Sequence, residues 1–204
     1  MLGALNFIGN EVVKRRPEKT PEFFTYSLGI GGIIQYGILL GVALLIGRNL
    51  PKRETFALRR PRSVAAGAGI AALTVAVTLV IGSIVRPFLH PERKQGILPQ
   101  HGWVPGHVVP FVLSVVAVAV AAPIVEELIF RGLGFTLLAR FGRGFAIVGV
   151  GTAFGIAHGI PEGLPLLIPL GAGLAWMRDR TQSVYPGMVL HSLFNGVQVI
   201  FAVT

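Results

Sequence analysis

The 204-residue chain contains no cysteine. That excludes a disulfide framework, a cysteine metal site and a thiol nucleophile, and with the last of these cysteine-protease chemistry. Charge is scarce as well. Only 13% of the residues are Asp, Glu, Lys or Arg, against about 25% in an ordinary soluble domain. Acid is scarcest: nine Asp and Glu stand against eighteen Lys and Arg, for a net charge of +9. A basic excess can mark a nucleic-acid binder. Here the basic residues sit in loops between apolar runs, where membrane topology and anionic lipid headgroups account for them. No nucleic-acid partner is expected; membrane lipid is. No internal repeat or low-complexity tract is evident.

What the chain has instead is apolar sequence. With 52% hydrophobic residues and a mean hydropathy of +0.70, it reads as a polytopic integral membrane protein. A spanning helix needs about 20 mostly apolar residues. The apolar runs are Tyr26–Ile46, Ser63–Val85, His107–Phe130, Phe145–His158, Leu164–Met177 and Val184–Val203. They predict an all-α transmembrane bundle of about six membrane helices, plus or minus one. The fourth and fifth are short and rich in glycine, as tilted or broken helices packed inside a bundle can be. The third changes character at Glu126 and continues as an amphipathic segment to about Phe141. Pro123 lies just before that change. A kink there aims the next turn inward, whereas a proline that is merely common in membrane helices does not. Residues 25–204 form the transmembrane domain, preceded by a tail over residues 1–24 that is read as an interfacial helix. Its cluster Lys14, Arg15, Arg16 and Lys19 comes after the short apolar stretch, which is the wrong order for a signal peptide.

Loop Arg48–Arg62 carries Arg48, Lys52, Arg53, Arg59, Arg60 and Arg62, which places it in the cytoplasm by the positive-inside bias. Alternation then brings Arg131, Arg140, Arg143, Arg178 and Arg180 to the same side, although the N-terminal cluster conflicts with that orientation. The turn that holds Glu126 and Glu127 then lies toward the cytoplasmic side of the cytoplasmic membrane. The proline-rich stretch 86–106 lies outside the bilayer with His90 and His101, and His107 sits at a helix entrance. Glu162 belongs to a turn between helices.

Against this background Glu126 and Glu127 stand out. They come directly after Phe111–Val125, which has no charge, and ionisable groups at membrane depth are expensive, face the bundle interior and mark function. Glu127 and Arg131 are four apart and share a helix face, with the acid favourably N-terminal to the base. Glu126 points about 100° away. One acid is therefore free to pair with Arg131 while the other faces a cavity and serves as a general base. Phe154 and His158 are four apart, as are His191 and Asn195. Singly, each has a plain structural account: a hydrogen-bonded histidine, interhelical asparagine glue, an architectural ion pair. Together they offer a carboxylate, two imidazoles and an amide. Such a set can hold water, polarise a carbonyl and stabilise an oxyanion. Equally, His158 and His191 with Glu126 can hold a metal such as zinc.

Glu126-Glu127-x-x-x-Arg131, Phe154-x-x-x-His158 and His191-x-x-x-Asn195 resemble, in order, the three motifs of the CAAX-protease and bacteriocin-processing (CPBP) family of intramembrane proteases. Ala122-Pro123-Ile124-Val125 and Phe130-Arg131-Gly132 resemble the same family, over about residues 115–199. The resemblance implies a helical bundle with an intramembrane peptidase site. By motif position it implies that Glu126 and His158 activate water and that His191 and Asn195 stabilise the oxyanion. Glu127 and Arg131 hold the site together, and Phe154 packs beside His158. The substrate it implies is a membrane-associated peptide or protein, lipidated in some members. Two other readings are a non-enzymatic immunity or scaffold protein that keeps the motifs, and a small proton-coupled transporter using Glu126, His158 and His191 as a relay. No inverted repeat of the transporter kind is found.

Overall fold

The computed structural model describes residues 21–88 and 102–203. Among these, every regular element is helical. A 3₁₀ turn, Glu22–Phe24, leads into α1 (Tyr26–Ile46). A single helical turn, Lys52–Thr55, precedes α2 (Val64–Val85). Then come α3 (Val108–Phe141), α4 (Arg143–Ala157), α5 (Leu164–Thr181) and α6 (Tyr185–Val203). The six apolar runs thus become six long helices, and the expected all-α bundle is what forms. By length and composition α1, α2 and α3 are long and apolar enough to cross a membrane.

Some boundaries move, for physical reasons. Helix α5 outruns its apolar core because Arg178, Asp179 and Arg180 end the hydropathy signal but not the helix. Arg178 is buried, with Nε donating to the Arg131 carbonyl at 3.0 Å and its guanidinium 4.5 Å from the Phe135 ring. Arg131 is fully buried too. Neither is the loop charge that topology counting makes of it. Most of the expected interfacial tail, with its basic cluster, lies outside the described residues, as do His90 and His101. Its last residues pack inward: Phe24 stacks on Phe111 at 5.2 Å and meets Trp103 edge-on at 5.6 Å. Glu162 sits in a 3₁₀ turn, Pro161–Gly163, between α4 and α5.

The outward faces are apolar, as lipid contact requires, and on α1 the inward face is small or polar. On α1, Ile30, Ile34, Ile38, Leu45 and Ile46 are exposed, while Gly29, Gly32, Tyr36 and Ala43 are buried. Small residues let helix backbones approach where no hydrophobic effect separates protein from lipid. A Cβ on Gly29 would lie 2.6 Å from Leu113 Cβ, and one on Gly32 would lie 3.0 Å from Ala117 Cβ. Helices α4 and α5 also approach closely. A Cβ on Gly151 would come 2.7 Å from the Ala172 amide nitrogen, and one on Gly171 would come 2.9 Å from the Gly151 carbonyl.

Helix α3 carries the site and is not uniformly α-helical. Two π-helical stretches, Val116–Ala121 and Glu127–Gly134, flank the α-turn Ala122–Glu126. Such stretches recur at functional sites. The backbone passes through Pro123 with helical dihedrals on either side, φ −56° and ψ −58° at Ala122 and φ −64° and ψ −41° at Glu126. The first π-stretch is how the proline is accommodated. The Ala122 N–H reaches back to the Ala117 carbonyl, so the next bond in that register would join residue 123 to the Val118 carbonyl. Proline has no N–H to give. Asn195 supplies the donor from α6, its Nδ2 lying 2.9 Å from Val118 O. The second stretch is served likewise, by Arg178 on the Arg131 carbonyl.

Thermal or denaturant unfolding in detergent checks both features. Asn195→Leu is expected to cost about 1–3 kcal/mol by stranding a carbonyl in apolar surroundings. In a Pro123→Ala background, where residue 123 regains an N–H, the same substitution should cost less; equal costs in both backgrounds would contradict this account. Gly151→Ala is expected to destabilise by about 1–3 kcal/mol through overpacking against α5. Gly144→Ala, where an added Cβ meets nothing within 4 Å, should behave like wild type.

Candidate active site

The two adjacent glutamates have different partners. Glu127 is fully buried and pairs with Arg131, Nη1 to Oε1 at 2.7 Å, as four-residue spacing on one face allows. Arg131 is fully buried as well. Its Nη2 donates to the Gly171 carbonyl at 3.0 Å, and its guanidinium carbon lies 4.3 Å from the centroid of the Phe154 ring. A charge pair in so dry a place is helped by further hydrogen bonds. Here α5 supplies one and the face of Phe154 on α4 supplies an aromatic neighbour, while Glu127 Oε2 and Arg131 Nε have no hydrogen-bond partner.

Glu126, 8% exposed, is turned elsewhere. Its Oε1 accepts a hydrogen bond from the Tyr36 hydroxyl at 2.8 Å. Its Oε2 is buried with no hydrogen-bond partner, 3.8 Å from His191 Nε2. Glu126 also lines a cavity with Tyr36 and Leu39 of α1, Ile129 and Phe130 of α3, and Ala157 and His158 at the end of α4. The cavity is otherwise apolar and has a carboxylate and an imidazole on its wall.

Both imidazoles are oriented by acceptors. His158 Nδ1 lies 2.7 Å from the Phe154 carbonyl. A carbonyl only accepts, so Nδ1 carries the proton and Nε2 keeps its lone pair in the neutral ring. His191, buried, lies with Nδ1 3.3 Å from Glu127 Oε1, which fixes its tautomer in the same way. The Phe154 ring packs edge-on to both, at 4.5 Å from His158 and 5.4 Å from His191. Gly187 allows α6 to come this near, since a Cβ there would lie 2.5 Å from Glu127 Oε2.

The structure therefore brings Glu126, Glu127, Arg131, Phe154, His158 and His191 into one connected cluster. Asn195 stands a turn further along α6 from His191, with its amide on the Val118 carbonyl. His107, hydrogen-bonded to the Pro105 carbonyl at 3.1 Å, takes no part. The metal alternative fares differently. Among the described residues no three His, Asp or Glu side chains are grouped so as to hold a metal ion. In the expected set Nδ1 of each histidine is engaged, which leaves Nε2 of both available, and His191 Nε2 lies 3.8 Å from Glu126 Oε2. The metalloprotease expectation therefore has no grouped donor set behind it among the described residues. Two contributors escape the sequence reasoning: Tyr36, whose signal is a polar tip on the glycine face of α1, and Arg178, hidden among end-of-helix charges.

The comparisons bear on the same region. Residues 108–197, from the start of α3 into α6, match the family model described as type II CAAX prenyl endopeptidase, Rce1-like. No curated protein and no solved structure matched the chain. The match spans Glu126, Glu127, Arg131, Phe154, His158, His191 and Asn195, whose order and helical spacing resemble the CPBP motifs. The match is confined to residues 108–197, less than half of the chain, and is consistent with the resemblance of these motifs to the CPBP family of intramembrane proteases.

Proposed function

We propose that this integral membrane protein is an intramembrane endopeptidase in which Glu126 is the general base. The observation that carries the reading is Glu126 Oε2. It is a buried carboxylate oxygen without a hydrogen-bond partner, on a residue that shares a cavity wall with His158, in a chain matched to a protease family. Water entering the cavity gives one proton to Glu126 and donates its other hydrogen to His158 Nε2. The water oxygen adds to the scissile carbonyl carbon, and the carbonyl π electrons move onto oxygen. His191 and Asn195 stabilise that oxyanion. Asn195 has a second amide hydrogen beyond the one given to Val118, and His191 Nε2 donates when both ring nitrogens are protonated. Glu126 then returns its proton to the leaving nitrogen as the carbon–nitrogen bond breaks.

Glu127 and Arg131 hold the geometry rather than react. No step is routed through a metal. The apolar lining by Leu39, Ile129, Phe130 and Ala157 suits a membrane-associated peptide, including a lipidated one. Loop 48–62 meets the far end of α5, with Arg59 Nε donating to the Gln182 carbonyl at 2.9 Å and the Arg62 amide donating to the Thr181 carbonyl at 2.9 Å. Collecting basic residues at one end supports a cytoplasmic orientation of that end.

Purified Glu126→Gln, His158→Ala and His191→Ala proteins should insert and fold, yet cleave at least about 100-fold more slowly. Wild-type cleavage by Glu126→Gln would sink the assignment. Thorough chelation is expected to leave the rate unchanged. New protein termini, compared between cells making wild type and cells making Glu126→Gln, would identify the substrate.

A further inference from the structure

We propose that Tyr36 is a positioning residue for hydrolysis: its phenol fixes the Glu126 carboxylate so that Oε2 alone is left for the attacking water. The inference rests on the reading of Glu126 as the base. Tyr36 lies on α1, outside residues 108–197, so the family match assigns it nothing. The residue is 2% exposed and its hydroxyl is 2.8 Å from Glu126 Oε1. No other hydrogen-bond donor reaches that oxygen among the described residues.

A carboxylate in an apolar cavity can rotate about its terminal torsion, a broad and nearly two-fold well. Pinning one oxygen removes that freedom and leaves the second oxygen in a single direction. The placement is built in rather than incidental. Gly29, Gly32 and Tyr36 fall on one face of α1 at helical spacing. The first two bring the backbone of α1 against α3 at Leu113 and Ala117, and one turn further on the phenol meets Glu126. Tyr36 also forms part of the cavity wall, so the clamped carboxylate and the space for substrate share a border.

The test is Tyr36→Phe in the purified full-length protein, with Glu126→Gln alongside. The variant keeps the ring and loses only the donor. The expected result is a fall in kcat of about 10- to 100-fold, the size of one hydrogen bond to a charged group. KM should stay within about twofold of wild type, and the protein should still fold, with a lowered unfolding temperature from the lost buried hydrogen bond. If Glu126→Gln is inactive while Tyr36→Phe retains wild-type kcat, this proposal fails and the assignment of Glu126 survives. If Glu126→Gln itself cleaves normally, the assignment fails first and Tyr36 has nothing to position. A Tyr36→Phe protein that fails to fold, or that loses kcat and binding together, would show a packing role and overturn the proposal too.

Discussion

The arrangement hangs on one dry ion pair, Glu127 with Arg131. Two charges without water are held by Coulomb attraction helped by further hydrogen bonds, and removing either partner typically costs about 3–5 kcal/mol. That demand recruits the neighbours, although Glu127 Oε2 and Arg131 Nε keep no hydrogen-bond partner. Arg131 reaches the Gly171 carbonyl on α5 and lies over Phe154 on α4, while Glu127 takes the Nδ1–H of His191 from α6. A single pair on α3 thus sets where three other helices stand. Gly187 completes the geometry, because any side chain there would collide with Glu127.

The same geometry explains how adjacent acids come to differ. Consecutive residues on a helix point about 100° apart, so an inward Glu127 leaves Glu126 facing α1 and the cavity. The π-stretches on either side adjust the phase of α3, and their loosened carbonyls need donors. Asn195 and Arg178 provide them. Polar residues in this bundle therefore do two kinds of work, completing backbone hydrogen bonds and presenting chemical groups.

Much of this is legible in the residues. Hydropathy alone marks six helices, since lipid-facing surface must be apolar along its whole length. Four-residue spacing places Glu127 against Arg131 without any tertiary knowledge, as a local property of one helix. The part that is not legible depends on contacts between distant segments. Tyr36 meets Glu126 across ninety positions, and only the approach of α1 through two glycines makes that contact. Arg178 looks like a terminal charge because hydropathy cannot see the Arg131 carbonyl waiting for it. The role of Pro123 is open, in sequence, to kink or no kink; the answer, a π-stretch capped from another helix, requires knowing that Asn195 is opposite. A metal centre is a fair reading of two histidines and a glutamate, but side-chain types do not reveal that the Phe154 carbonyl and Glu127 orient the two rings through Nδ1.

The glycine face of α1 also bears on how such a chain is made. Synthesis runs from the N-terminus, so α1 and its phenol precede α3 in the bilayer. When Glu126 emerges, a donor for its carboxylate is already present at membrane depth, while His158 and His191 are still unmade. A buried carboxylate of a membrane protein is most exposed to misplacement at that stage. The earlier helix α1 thus offers a partner to a costly charge before α4, α5 and α6 exist.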